Sequence, residues 1–354
     1  MDTAAVLCEG AFGTNIGKTA AGLVRHSLRF KIVGVIDSKT PYGDAGEILD
    51  GVKKGIPIFH SLQELIKSQE SPPRFLIIGV ATIGGRLPDS FRTTVREALE
   101  AGISVISGLH EQMGKEPDFA SAAEAGGSVI IDIRHERKFE DLHYFKNLAK
   151  DLPCVRIPVL GTDAGIGKRT TAIILTDTLN SLGVKTTFVA TGQTGLLQGS
   201  QFGVPIDAIR SDFVVGELEA ELIRAYDIEK PKVMLVEGQG SLSHPAYVTG
   251  SRAVVNASSP NGVILQHSPK REFRTFHESE LHLPMPTIDY EIDLIHLFAK
   301  APVIAITLNH QNMTDDEVHE TSKAYETKYG VPCEDILRFG AEKIAKSIIV
   351  RYGL

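Results

Sequence analysis

Residues 161–171 read GTDAGIGKRTT and lie between an apolar run of strand length and a helix-like segment. In that context glycines let backbone N–H groups converge on an anion, the helix N-terminus adds partial positive charge, and Lys168 supplies a full charge. The stretch therefore predicts a phosphate-binding loop, although a tight turn with an exposed lysine would read similarly. It departs from GxxxxGK[ST] in two ways. The spacing from Gly161 to Gly167 is one residue longer, and Arg169 stands where such loops place the magnesium-ligating hydroxyl.

Apolar runs of strand length recur on both sides of this loop, separated by helix-like segments. Before it they are AAVLC (4–8), FKIVGVID (30–37), FLIIGVA (75–81), ISVISG (103–108) and SVIIDI (128–133). From the loop onward they are VRIPVLG (155–161), KTTFVATG (185–192), KVMLVEG (232–238), NGVILQHS (261–268) and PVIAITLN (302–309). Short apolar strands that alternate with helices are typical of parallel sheets covered on both faces.

We therefore expect an α/β protein with two domains. An N-terminal Rossmann-like doubly wound domain is predicted at 1–138, followed by a P-loop NTPase-like α/β domain at 139–354. The charged stretch 135–152, HERKFEDLHYFKNLAKDL, has apolar residues at helical spacing and is predicted to be a connecting helix.

Composition narrows the class of partner. The chain has 354 residues, a net charge of −7 and no dense Lys/Arg tract, which argues against nucleic acid or an anionic membrane as a partner. Its three cysteines, Cys8, Cys154 and Cys333, form neither CxxC nor a Cys/His ligand spacing, so we expect no disulfide and no metal site. The N-terminus is apolar only over 4–8 and lacks a basic lead, and no apolar run approaches the ~20 residues of a membrane span. We expect a cytoplasmic protein with a small-molecule substrate, and a homo-oligomer is compatible with the several glycine-rich edges.

A second motif is VMLVEGQGSL at 233–242. A buried strand ending at Glu237 places a carboxylate at the edge of the sheet where ligands bind in open α/β folds. Gly238 and Gly240 allow the backbone to approach a ligand closely. Glu237 could hold a metal, act as a base toward an amine, orient water, or only cap the next turn.

Both motifs resemble those of dethiobiotin synthetase. GTDAGIGK is similar to its GTD-x-x-x-GK loop, including the additional residue, and VEGQGSL is similar to its VEGAGGL. In that family the loop lysine binds phosphates, and Thr and acidic side chains hold magnesium for ATP-dependent carboxylation of an amine. The resemblance covers two short motifs and implies a P-loop fold.

A broader resemblance spans the chain. The motifs in order are GTN-x-GKT (13–19), GTDAGIGKRTT, ATGQTG (190–195), PIDAIRSDFVVGELE (205–219), VEGQGSL and VILQHSP (263–269). This order is similar to that of the DgcN-like family of D-glutamate N-acetyltransferases. The resemblance implies a Rossmann-like first domain, a P-loop-like second domain, and transfer of an acetyl group from acetyl-CoA to the amine of D-glutamate.

Acetyl-CoA fits the chemistry of the loop, because a helix N-terminus can bind its pyrophosphate and 3′-phosphate without cleaving them. Arg169 would add a second cation for phosphate if it points into the site, and would otherwise be an exposed first-turn residue. The expected cofactor-binding residues are Gly161, Thr162, Asp163, Gly165, Gly167, Lys168, Arg169 and Thr170.

Acyl transfer to an amine needs a base, and the substrate carboxylates need cations. The candidate catalytic residues are Glu237, His267 and Asp212. The candidate substrate-binding residues are Arg210, Lys270, Arg271 and Arg274. A strand-end histidine can equally be structural, and the tract KREFR can equally be a solvated loop.

Three alternatives stay open at this point. The chain could be an ATP- and magnesium-dependent enzyme of the dethiobiotin synthetase kind, or a non-catalytic nucleotide-binding protein. In the first domain, Asp37 follows the second strand where a dinucleotide fold places its ribose-binding acid, which leaves NAD(P) binding open.

The glycine-rich run 190–203 could be a substrate-binding loop or a flexible connection.

Overall fold

The computed structural model describes residues 1–135, 137–274 and 283–354. The chain forms two compact units, one comprising 1–136 with 193–200 and the other comprising 137–192 with 201–354. In the described part of the chain, no helix combines the length and the apolar character needed to cross a membrane.

The first unit is built on a six-stranded parallel sheet. Its elements are β1 Asp2–Leu7, α1 Lys18–Arg25, β2 Phe30–Ile36, α2 Ala45–Asp50, β3 Ile58–Phe59, α3 Leu62–Ser68, β4 Phe75–Ile78, α4 Asp89–Glu100, β5 Ser104–Ser107, α5 Pro117–Gly126 and β6 Ile130–Asp132. The strand order is β3-β2-β1-β4-β5-β6, with parallel pairing throughout. This is the order of doubly wound dinucleotide-binding folds.

The second half of the chain contributes a seven-stranded parallel sheet. Its elements are β7 Val155–Gly161, α6 Lys168–Ser181, β8 Thr186–Ala190, α7 Gln193–Gln198, β9 Phe202–Gly203, α8 Ser211–Glu229, β10 Val233–Glu237, α9 Gly250–Ser258, β11 Val263–His267, α10 Ile288–Ala299, β12 Val303–Leu308, α11 Asp315–Tyr329, β13 Cys333–Glu334, α12 Ile336–Phe339 and α13 Glu342–Tyr352. The strand order is β13-β12-β11-β7-β10-β8-β9. The two parallel sheets confirm the α/β class.

The central strands explain why the apolar runs are continuous. Ile157 of β7, Leu235 of β10 and Ile264 of β11 are all fully buried. Burying each such side chain stabilises the fold by roughly 1.5–3 kcal/mol. Because β7 lies between β10 and β11, the residues that follow these three strands meet at one edge of the sheet.

The predicted helix over 135–152 is wrong. The described residues of this stretch form only two short 3₁₀ turns, Phe139–Asp141 and Ala149–Asp151. Two buried carboxylates of α8, Glu217 and Glu219, accept backbone N–H groups of the stretch, from His143, Lys146, Leu148 and Ala149. A helix would satisfy those donors with its own carbonyl groups, so the carboxylates favour the irregular path.

The glycine-rich run 190–203 is not a loop throughout, because it contains α7 and β9. Residues 193–200 pack within the first unit, where Leu28 N–H donates to the Gln198 carbonyl at 2.8 Å and the Gln193 amide donates to the Thr19 hydroxyl at 2.8 Å. The division into 1–138 and 139–354 stays a proposal, and it assigns this segment to the second domain.

Candidate functional site

The loop between β7 and α6 leaves the start of α6 available to an anion. Gly165 and Gly167 have φ values of 63° and 105°, which glycine adopts without steric cost. Gly167 is the N-cap of α6 and has no side chain to accept the first-turn N–H groups. A Cβ on Gly161 would lie 3.0 Å from Lys168 Cδ, so this glycine lets the lysine pass close to the backbone.

Lys168 is buried within the loop. Its Nζ donates to the Asp163 carbonyl at 2.5 Å. Burial lowers the pKa of Lys168 to about 8, and the negative charges of Asp163, Glu237 and Glu291 oppose that shift. The ammonium group therefore lies among carboxylates at the helix N-terminus. With a pKa of about 8, Lys168 is mostly protonated at neutral pH and becomes neutral as the pH rises above that value.

Glu237 ends β10, directly beside the loop. It is 5% exposed, and its Oε2 accepts the backbone N–H groups of Thr191 at 2.9 Å and Gly192 at 3.2 Å. Burial raises the pKa of Glu237, opposed first by the positive charge of Arg169. Arg169 is half-buried, and its charge acts on this carboxylate. Glu237 is thus an oriented carboxylate with increased proton affinity.

His267 ends β11 on the other side of the loop. Its Nδ1 is hydrogen-bonded to Thr162 Oγ1 at 2.9 Å, and burial lowers its pKa to about 4. The preceding Gln266 accepts hydrogen bonds at Oε1 from the hydroxyls of Thr171 at 2.5 Å and Thr307 at 2.6 Å. His267 is neutral near pH 7, and together with Gln266 it anchors the loop to β11.

Asp163 joins the loop to two further side chains. It is fully buried, and its Oδ2 lies 3.0 Å from Arg271 Nη1, which also donates to the Ala164 carbonyl at 2.9 Å. His244 Nε2 lies 3.7 Å from Asp163 Oδ1, and His244 Nδ1 accepts the Ala246 N–H at 3.1 Å. Burial lowers the pKa of His244. The neutral ring therefore carries its proton on Nε2, toward the Asp163 carboxylate.

Serines and a second buried carboxylate lie beside this group. Leu242 N–H donates to Glu291 Oε1 at 2.6 Å. Arg274 donates to Ser241 Oγ at 3.3 Å and to Ser243 Oγ at 2.9 Å. Glu291 is fully buried, and burial raises its pKa. Neither Glu291 nor His244 stands out in the sequence, because Glu291 resembles any acidic residue of an amphipathic helix and His244 is marked only by its position soon after VEGQGSL.

The remaining predicted site residues differ in exposure and partners. Asp212 and Arg210 are exposed at the start of α8, which follows the outermost strand β9. Lys270 is exposed and forms an ion pair with Glu317. Thr170 is half-buried in the first turn of α6. Within the described residues, no group of three or more His, Cys, Asp or Glu side chains is arranged to hold a metal ion.

The glycine-rich loop of the first unit is closed by Asp37. Its Oδ1 accepts the N–H groups of Gly10 at 2.8 Å and Lys39 at 2.9 Å. Its Oδ2 accepts Phe12 N–H at 3.1 Å and the Thr40 hydroxyl at 2.9 Å. Because both oxygens bind the protein's own loops, the structure gives no support to a ribose-binding role for Asp37.

Comparisons with known proteins cover both halves of the chain. Residues 39–136 match a Rossmann-like domain of unknown function, DUF1611_N, and residues 143–345 match the P-loop domain DUF1611_C. These matches confirm the predicted Rossmann-like and P-loop domains. A crystal structure of a DUF1611 family protein from Anabaena variabilis ATCC 29413 is 31% identical, with a TM-score of 0.89, and the match covers 99% of this chain and 100% of that one.

Two relatives carry a functional name. A D-glutamate N-acetyltransferase of Tritonibacter scottomollicae is 31% identical over 287 residues, which is 80% of this chain and 84% of that protein. A D-glutamate N-acetyltransferase of a Pseudoalteromonas species is 30% identical over 278 residues, which is 77% of this chain and 80% of that protein.

Proposed function

Given that this chain belongs to the DUF1611 family, we propose that it is an N-acetyltransferase that moves the acetyl group of acetyl-CoA to the amine of D-glutamate or a similar amino acid. Support comes from the two relatives of that name, which match most of the chain. The observation that carries the proposal is the loop itself. It presents the open N-terminus of α6 and the buried Lys168, with Arg169 in place of a magnesium-ligating hydroxyl.

The loop is proposed to bind the phosphates of acetyl-CoA. Phosphate oxygens would accept the first-turn N–H groups of α6 and replace the Asp163 carbonyl as the partner of Lys168 Nζ. Arg169, whose charge already acts in the site, would contribute a second cation. Binding phosphates in this way requires neither their cleavage nor a side-chain hydroxyl that ligates magnesium.

Glu237 is proposed as the base. The acceptor ammonium loses a proton to the Glu237 carboxylate, and the free amine attacks the thioester carbonyl. A C–N bond forms, the C–S bond breaks, and the CoA thiolate leaves and is protonated, which gives the N-acetyl amino acid, CoA and one released proton overall. A buried carboxylate with a raised pKa suits this role. His267, with a pKa of about 4, is a weaker base, and Asp212 is exposed in the first turn of α8.

Product analysis tests the proposal. Purified protein receives D-glutamate with acetyl-CoA, and in a second reaction D-glutamate with ATP and magnesium, while free thiol and phosphate are followed. We expect amine-dependent thiol release. Amine-dependent phosphate release without thiol would overturn the proposal in favour of a magnesium-dependent ligase. Nucleotide binding with neither product would instead indicate a non-catalytic nucleotide-binding protein.

The loop's role is tested by binding of acetyl-CoA to a Lys168→Ala variant, measured by calorimetry. Loss of a charge-assisted contact to phosphate should weaken binding by about tenfold or more. Lys185→Ala is the matched control, because Lys185 is exposed and paired with Glu229. Equal affinity of the two variants for acetyl-CoA would remove the loop from the proposal.

A further inference from the structure

The segment 241–244, SLSH, connects the phosphate loop to two groups that the proposed reaction does not use. Its last residue, His244, faces Asp163 of the loop. Its other residues bind the carboxylate of Glu291 through a backbone N–H and the guanidinium of Arg274 through two hydroxyls. The buried carboxylate of Glu291 and the guanidinium of Arg274 therefore both contact one short segment beside the proposed cofactor site.

Glu291 has an incomplete set of hydrogen bonds. Its Oε1 accepts the Leu242 N–H, and Ser243 lies close enough to oppose the increase in the carboxyl pKa that burial causes, but the buried Oε2 has no partner of hydrogen-bond distance and angle in the described part of the chain. A buried carboxylate oxygen without a donor is costly, so a ligand that brings N–H donors would relieve a penalty already present. The carboxylate also raises the pKa of Lys168, which places its charge near the loop.

Arg274 offers the complementary charge. Its guanidinium donates to the Ser241 and Ser243 hydroxyls and to the Pro284 carbonyl, all of them neutral. No carboxylate from the described residues lies within ion-pair distance of it, although its charge acts at longer range on Glu291, whereas Arg271 is paired directly with Asp163. Serine hydroxyls hold the guanidinium in place without neutralising it, so it can still bind a carboxylate.

We propose that Glu291 and Arg274 form the acceptor subsite, in which Glu291 Oε2 receives the ammonium group and Arg274 receives a carboxylate of one amino acid with an acidic side chain. This inference rests on the proposed function, because it assigns the two ends of the acceptor. The subsite recognises the two opposite charges together, so a molecule that lacks the amine loses the contact with Glu291 and keeps the contact with Arg274.

Calorimetry with two probes tests the subsite. D-Glutamate and glutarate, which has the same two carboxylates and no amine, are titrated separately into CoA-saturated protein. Glu291→Gln should weaken D-glutamate binding by about tenfold or more and leave glutarate binding within twofold, since the lost interaction is a charge-assisted hydrogen bond to the ammonium. Arg274→Gln should weaken binding of both probes by about tenfold or more.

Matched controls are Asp293→Asn, an exposed carboxylate on the same helix as Glu291, and Arg252→Gln, an exposed arginine over the Phe298 ring. Both should bind the two probes as the wild type does. If Glu291→Gln does not fold, Glu291→Asp keeps the buried charge but withdraws it by one methylene group, and the same selective loss of D-glutamate is expected.

Two results would overturn the subsite: no D-glutamate binding by the wild type, or equal effects of the Glu291 variant on the two probes. The transfer assay separates this failure from failure of the proposed function. Selective binding without thiol release by the wild type would leave the subsite standing and remove acetyl transfer. If the wild type releases thiol and the Glu291 and Arg274 variants bind both probes like the wild type, acetyl transfer stands and the subsite is removed.

Discussion

Replacing Glu237 with glutamine removes the proposed base while preserving its shape. The side chain is buried and its Oε2 accepts two N–H groups, at 2.9 and 3.2 Å. The glutamine oxygen can accept the same two, so the free energy of unfolding should change by no more than about 2 kcal/mol, or about 1 kcal/mol for each bond that loses its charge. General-base catalysis contributes about 10²- to 10⁴-fold, so kcat should fall by that factor.

The assay is thiol release, first at saturating acetyl-CoA with varied D-glutamate for kcat, then at saturating D-glutamate with varied acetyl-CoA for the KM of acetyl-CoA. KM for acetyl-CoA should stay within about threefold, because a general base acts in the transition state more than in binding. Asp227→Asn, which alters an exposed carboxylate paired with Lys230, is the control and should behave as wild type. If kcat of a folded Glu237→Gln variant decreases by less than about tenfold, the assignment of Glu237 as the base is refuted.

Three further predictions concern charge. Binding of CoA, measured by calorimetry, should weaken as the pH rises through about 8, because burial lowers the pKa of Lys168 to that value. The Lys168→Arg variant stays charged and should show no such decline. The unfolded chain binds a proton at His267 below its ordinary pKa of 6.5, but the folded chain does so only near 4. Urea unfolding should therefore show up to about 3 kcal/mol less stability as the pH falls through that window, and His267→Gln should reduce the decline. Asp37→Asn removes the charge that binds four donors and should destabilise the first unit by about 2–4 kcal/mol in the same assay, while unchanged stability would contradict its structural role.

What the sequence predicted correctly was local. The run 155–161 coincides with β7, and the glycine pattern after it marks a strand-to-helix loop, because continuous apolarity and glycine spacing are read within a few residues. Local patterns gave a wrong prediction at 135–152. The apolar residues have helical spacing, but carboxylates some 70 residues away in the chain accept the backbone N–H groups and no helix forms. A helix pattern carries no information about distant acceptors.

The sequence indicated that Glu237 and His267 end strands at the ligand-binding edge of the sheet, but the strand order is not readable from it. β10 and β11 flank β7 although they follow it by some 70 and 100 residues, which is why these two residues lie beside the loop. His244 and Glu291 are single polar residues without a motif, and their burial becomes evident only when α10 and the 241–244 segment pack together.

The candidate substrate-binding cations show the same limit of sequence-based prediction. They could not be told apart in the sequence, but in the structure Lys270 pairs with Glu317, Arg271 with Asp163, and Arg274 with two serine hydroxyls.

The glutamates of α8 have a consequence for how relatives are recognised. Glu217 and Glu219 lie in PIDAIRSDFVVGELE, one of the motifs that carried the whole-chain resemblance, yet their carboxylates bind the irregular stretch before β7 and do not touch the phosphate loop. The two glutamates hold the path of the chain before β7. Their presence in another protein would indicate the same scaffold at this point, whereas the molecule that it binds has to be judged from other positions.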